Sequence, residues 1–110
     1  MTRRILLILA FILAPALGFA QAVGGTYAAE GRNPNGTTYR GTVWIDDAGD
    51  AVSVDWEVGS SSYSGTGTIQ GNVLVVNWGD AYPVYYVILP DGALHGTWAN
   101  GTALEKLTPQ

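Results

Sequence analysis

The chain has 110 residues, enough for one domain. Five Lys and Arg stand against nine Asp and Glu, and there is no cysteine. These totals exclude a disulfide scaffold and argue against nucleic acid as a partner, because so few cations cannot neutralise a row of phosphates.

Met1 to Ala20 has three zones. Arg3 and Arg4 form a positive start, Ile5 to Leu13 is an unbroken apolar run, and small residues follow Pro15 toward Ala20 and Ala22. That is the plan of a signal peptide over residues 1–20, with cleavage expected after Ala20 or Ala22. The apolar run is shorter than the ~20 residues needed to cross a bilayer, and no later segment is longer, so the mature chain is expected to have no membrane span. Export follows as the expected localisation, to a bacterial periplasm or the exterior. Residues 23–110 are expected to form a single β domain. With Arg3 and Arg4 removed, only Arg32, Arg40 and Lys106 face the nine acids, so an anionic membrane surface would repel this domain.

Helical spacing of apolar residues is absent after the leader, and alternation takes its place. Tyr39, Gly41, Val43 and Ile45 share one face of a strand, with Arg40, Thr42 and Trp44 on the other. Val52, Val54, Trp56 and Val58 oppose Ser53, Asp55 and Glu57, the pattern of a half-buried strand. Turn signals recur at Asn33-Pro34-Asn35-Gly36, Asp47-Ala48-Gly49-Asp50, Gly59-Ser60-Ser61, Gly71-Asn72, Gly79-Asp80, Pro90-Asp91-Gly92 and Asn100-Gly101. In Asn100-Gly101 both residues tolerate the positive φ of a type I′ turn. Connections this short force antiparallel neighbours. Eight strands are predicted near residues 24–31, 37–46, 50–58, 62–70, 73–78, 82–89, 93–98 and 102–108. The fold class is therefore all-β, an antiparallel meander closed into a small up-and-down barrel or a strongly curled sheet; a two-sheet sandwich is the alternative. Gly41, Gly65, Gly67 and Gly96 fall at inward positions, where they let strands coil and leave room for facing aromatics.

Residues able to do chemistry are sparse. His95 is the single histidine, with no acid or nucleophile in a triad context. One histidine without cysteine makes no zinc site, and Asp46, Asp47 and Asp50 lack the spacing of a calcium loop. No metal and no cofactor is expected. Asp55 and Glu57 are a carboxylate pair on one strand face, the only candidates for glycosidic acid–base work. The aromatics carry more information. Tyr82, Tyr85 and Tyr86 cannot all face inward, and alternation turns Tyr85 outward; Trp44 likewise opposes Val43 and Ile45. Trp44, Tyr85 and Trp98 are the candidate ligand-binding residues.

A wider pattern joins these segments. It runs through Gly25-Thr26-Tyr27, Asn33-Pro34-Asn35-Gly36, Tyr39-x-Gly41-x-Val43, Trp56 and Tyr63-x-Gly65-x-Gly67. It continues through Val75-x-Asn77-Trp78-Gly79, Asp91-Gly92-x-Leu94-x-Gly96-Thr97-Trp98 and Glu105-x-Leu107-Thr108-Pro109. The pattern resembles a family of small exported bacterial all-β proteins, mostly uncharacterised and sometimes labelled fibronectin-binding. The Gly-Thr-Trp and Gly-Thr-Tyr elements are also similar to those of avidin-type barrels. The family resemblance implies an exported, non-enzymatic binding module whose partner is an extracellular-matrix protein such as fibronectin. Two alternatives stand beside it: a barrel holding a small apolar ligand in its mouth, and a hydrolase using Asp55 and Glu57.

Overall fold

Alternation becomes strand throughout the computed structural model, which describes residues 22–110. The expected leader over residues 1–20 and its Ala20 cleavage point lie outside the described residues. The strands are β1 (Gly25–Arg32), β2 (Thr38–Asp47), β3 (Val52–Val58), β4 (Ser61–Gln70), β5 (Val73–Asn77), β6 (Val84–Ile88), β7 (Leu94–Trp98) and β8 (Ala103–Pro109). No helix occurs among the described residues. Each strand pairs antiparallel with the next, and β8 returns to pair with β1, so the sheet closes. The seam runs from Tyr27 opposite Pro109 to Arg32 opposite Leu104. The architecture is the closed meander barrel, and the sandwich alternative is excluded by this seam.

An eight-stranded barrel is just wide enough for side chains to fill, or to hold one small ligand. Here the two ends differ. At the end carrying the β2–β3, β4–β5 and β6–β7 turns, the interior is packed solid. Val43, Val52, Val54, Leu74, Val76, Leu94 and Leu107 have no side-chain access to solvent there. The segment before β1 plugs this end: Val23 is buried, its N–H donates to Asp47 Oδ2 (3.2 Å), and its carbonyl accepts the Tyr27 hydroxyl (2.6 Å). At the other end, ringed by the β1–β2, β3–β4, β5–β6 and β7–β8 loops, aromatic rings replace aliphatic side chains.

Strand ends fall within two residues of the sequence reading, and two of the differences have a local reason. β6 begins at Val84 and not at residue 82. Pro83 has no N–H to give a ladder, and the Tyr82 carbonyl accepts the Trp78 indole N–H (3.1 Å) instead. The β7–β8 turn is also displaced by one residue. Ala99 (φ 51°) and Asn100 (φ 57°) are its central pair, and Gly101 follows with its N–H donated to the Trp98 carbonyl (3.1 Å).

Candidate ligand-binding site

The open end holds a cavity of about 210 Å³ lined by Tyr39, Trp56, Tyr63, Trp78, Trp98 and Glu105, with Asn33, Val58, Ser61 and Val84 completing it. Each ring arrives from the inward face of its strand or from the loop just beyond it. Neighbouring rings stand edge to face: Tyr63 on Trp78 (5.7 Å between centroids, 81°), Trp78 on Trp98 (6.0 Å, 89°) and Tyr39 on Trp98 (6.3 Å, 62°). Trp56 is tilted against Trp78 (6.5 Å, 58°). These are favourable quadrupolar arrangements, so the wall is held by the rings themselves.

Beneath the rings lies a carboxylate. Glu105 is 6% exposed and is the one buried charged residue among those described. Its Oε1 accepts the Tyr39 hydroxyl (2.7 Å). Its Oε2 accepts the Trp56 indole N–H (3.1 Å) and a very short bond from the Tyr86 hydroxyl. The Trp98 indole N–H donates to the Tyr39 hydroxyl oxygen (3.1 Å). An indole nitrogen can only donate. Tyr39 must therefore send its own proton onward to Glu105, and Trp56, shared between Glu105 and the Tyr86 oxygen (3.1 Å), imposes the same direction on Tyr86. Both oxygens of Glu105 are thus acceptors, and no cation among the described residues meets them. Burial and the adjacent Glu105 charge raise the phenol pKa of Tyr86 well above 10, and the same causes raise that of Tyr39.

The barrel register explains how five strands bring this group together. Gly31 and Gly96 lie directly across from Glu105 on β1 and β7, Tyr39 pairs with Gly31, and Tyr86 pairs with Gly96. A Cβ on Gly31 would overlap the Tyr39 ring, and one on Gly96 would come within 2.6 Å of Tyr86 Cδ1. Each phenol crosses a glycine and reaches the carboxylate from its own side.

The three candidate ligand-binding residues do not share a surface. Trp98 faces inward and lines the cavity. Trp44 (43% exposed) and Tyr85 (50% exposed) face outward on β2 and β6, four strands apart around an eight-stranded ring and so on opposite walls. Asp55 and Glu57 also face outward, with Asp55 accepting the Ser64 hydroxyl (2.6 Å). Asp47 spends its oxygens on the Gly49 and Val23 backbone N–H groups. His95 is exposed beside Lys106 on the outer wall. Sequence reasoning passed over Glu105, Tyr39, Tyr86, Trp56 and Trp78 as site residues. The signal for Glu105 was the alternation of β8, where Ala103, Glu105 and Leu107 share the inward face.

The fold has a counterpart among solved structures. A redesigned β-barrel superimposes with a TM-score of 0.60 at 16% identity, covering 80% of this chain and 91% of that one. The likeness is one of fold alone. The sequence matches no family model and no curated protein.

Proposed function

We propose that this protein is a non-enzymatic binding barrel that holds one small ligand in its aromatic mouth. The observation that carries the reading is the cavity itself: a barrel packed solid at one end leaves about 210 Å³ walled by five aromatic rings at the other. That volume is below the ~300 Å³ at which drug-sized sites begin, so the occupant is small. Among the described residues the only acid facing the cavity is Glu105; Asp55 and Glu57 face solvent across the wall, which favours binding over hydrolysis. The leader-like N-terminus supports action outside the cytoplasm.

Titration with 3,3-dimethylbutan-1-ol, a small neutral apolar probe, followed by tryptophan fluorescence and ligand-detected NMR, tests the reading. Saturable binding that Ser61→Trp abolishes by filling the mouth is expected. Binding that never saturates, or that ignores Ser61→Trp, removes the pocket as the site.

A second reading keeps a protein partner such as fibronectin, in line with the family resemblance. It is favoured by a row of outward residues in register across four strands, Val75, Tyr85, Thr97 and Leu104, of which Tyr85 and Leu104 are half exposed. Immobilised fibronectin should retain the wild-type domain and release Tyr85→Ser/Leu104→Ser; equal retention of both, or of neither, sinks this reading.

A further inference from the structure

We propose that the ligand taken by the mouth is a small organic cation carrying an alkylated ammonium group. This deepens the small-ligand reading and rests on it.

The cavity has one full charge at its base, the Glu105 carboxylate, and no Lys, Arg or His lines it. The three described basic side chains, Arg32, Arg40 and Lys106, lie on the outer wall, where Arg40 and Lys106 flank Glu30 at 3.5 and 3.8 Å. The three indole N–H groups around the cavity and the two phenols at its base are already committed. The N–H of Trp56 goes to Glu105 and Tyr86, that of Trp98 to Tyr39, and that of Trp78 to the Tyr82 carbonyl. Both phenols donate to Glu105, and the Asn33 amide donates to Thr37 Oγ1 (3.0 Å). An anion would meet a like charge, and the donors left to it, on Ser61 and Tyr63, stand at the exposed rim. A neutral polar ligand would have those few rim groups to bond and would gain little from the charge of the carboxylate. A cation finds two complementary features: ring faces whose quadrupoles attract positive charge, and a buried carboxylate whose field the low-dielectric surroundings leave unscreened.

The type of cation follows from the same inventory. Glu105 already accepts three hydrogen bonds, so a carboxylate with about four acceptor sites has little left for a primary ammonium that must place three donors. An ammonium covered by methyl groups has no such need and presents an apolar shell to the rings. Its attraction to the carboxylate is through space.

Three isosteric probes decide the matter on the wild-type chain: choline, 3,3-dimethylbutan-1-ol and 3,3-dimethylbutanoate, which place a positive, neutral or negative group on one shape. Choline is expected to bind about tenfold or more tightly than the neutral alcohol, with the carboxylate probe not binding. Glu105→Gln, checked for fold by circular dichroism, should bring choline and the alcohol to within about twofold of each other. If Glu105→Gln does not fold, the wild-type ranking alone decides. The alcohol binding as tightly as choline, with Ser61→Trp still blocking both, would overturn the cation inference while leaving the mouth as a ligand site. Failure of all three probes would remove both.

Discussion

The indole N–H is the residue-scale device that orders the site. Trp98 and Trp56 can only donate, so they orient Tyr39 and Tyr86, which then converge on Glu105. Burying a carboxylate without a cation is costly, and charge-assisted bonds from three neutral donors offset that cost. Removing one donor should therefore be felt. Tyr86→Phe deletes a bond to a charged group inside the core and is expected to lower unfolding free energy by about 1.5–3 kcal/mol at pH 7, measured by urea denaturation. The same variant has an alkaline signature. Tyr86 in the folded state has its pKa raised above the ordinary 10 by burial and by Glu105. Its stabilising contribution is complete below pH 10, and it is lost as pH rises above 10, where the unfolded chain releases a proton that the folded chain keeps. Wild-type stability should thus fall in that window, with Tyr86 supplying about 1.4 kcal/mol per pH unit of the slope. Tyr86→Phe should show a shallower fall by that amount; parallel slopes would mean that Tyr86 ionises as freely folded as unfolded.

At the scale of elements, glycine and tyrosine work as cross-strand pairs. Tyr39 over Gly31 and Tyr86 over Gly96 bring two phenols to either side of β8 because neither glycine has a side chain to hold the ring away. Gly31→Ala should leave the strands in place but expel the Tyr39 ring, with a loss of about 1–3 kcal/mol from overpacking and weakened probe binding. Near-ultraviolet circular dichroism, which reports the coupled Tyr39 and Trp98 rings, should change while the far-ultraviolet spectrum does not. An unchanged near-ultraviolet spectrum would deny the ring its place over Gly31. The strands were legible in the sequence because period-two patterning is a local property, and the inward set Val52, Val54, Trp56 and Val58 is what the barrel buries. The site was less legible. Glu105 comes from β8 and its partners from β2, β3 and β6, so their meeting depends on register and closure, which no single strand records. Alternation turned Trp44 and Tyr85 outward, where they stand, but the sequence reading grouped Trp98 with them without assigning it a face, and the closed sheet places it inside, on the cavity wall. The β7–β8 turn slipped by a residue for a related reason: Ala99 takes a left-handed conformation that its own side chain disfavours, and the hairpin register, fixed by Trp98 opposite Ala103, overrides that preference.

For the whole molecule, closure distributes stability in a way that chain order would not suggest. The first and last strands meet over a long seam, β1 with eight residues and β8 with seven. The Gln110 N–H extends this seam by donating to the Thr26 carbonyl (3.0 Å). The opposite wall is thinner: β5, β6 and β7 have five residues each, and the loop from Trp78 to Pro83 joins two of them at the rim of the cavity. Local opening follows the ladder with fewest bonds and least buried apolar surface. A cavity beside this wall lowers its packing further, since side chains facing empty space have no partner atoms there. Native-state hydrogen exchange should accordingly find the β6 amides nearest the mouth, at Tyr85 and Tyr86, exchanging through a lower-energy opening than Ala29 or Leu107 at the seam. A bound probe should slow the first pair more than the second, because it fills the space that lets the thin wall move. Faster exchange at Ala29 and Leu107 than at Tyr85 and Tyr86 would show that the barrel opens at the β1–β8 seam, and that the mouth is a rigid part of the cylinder.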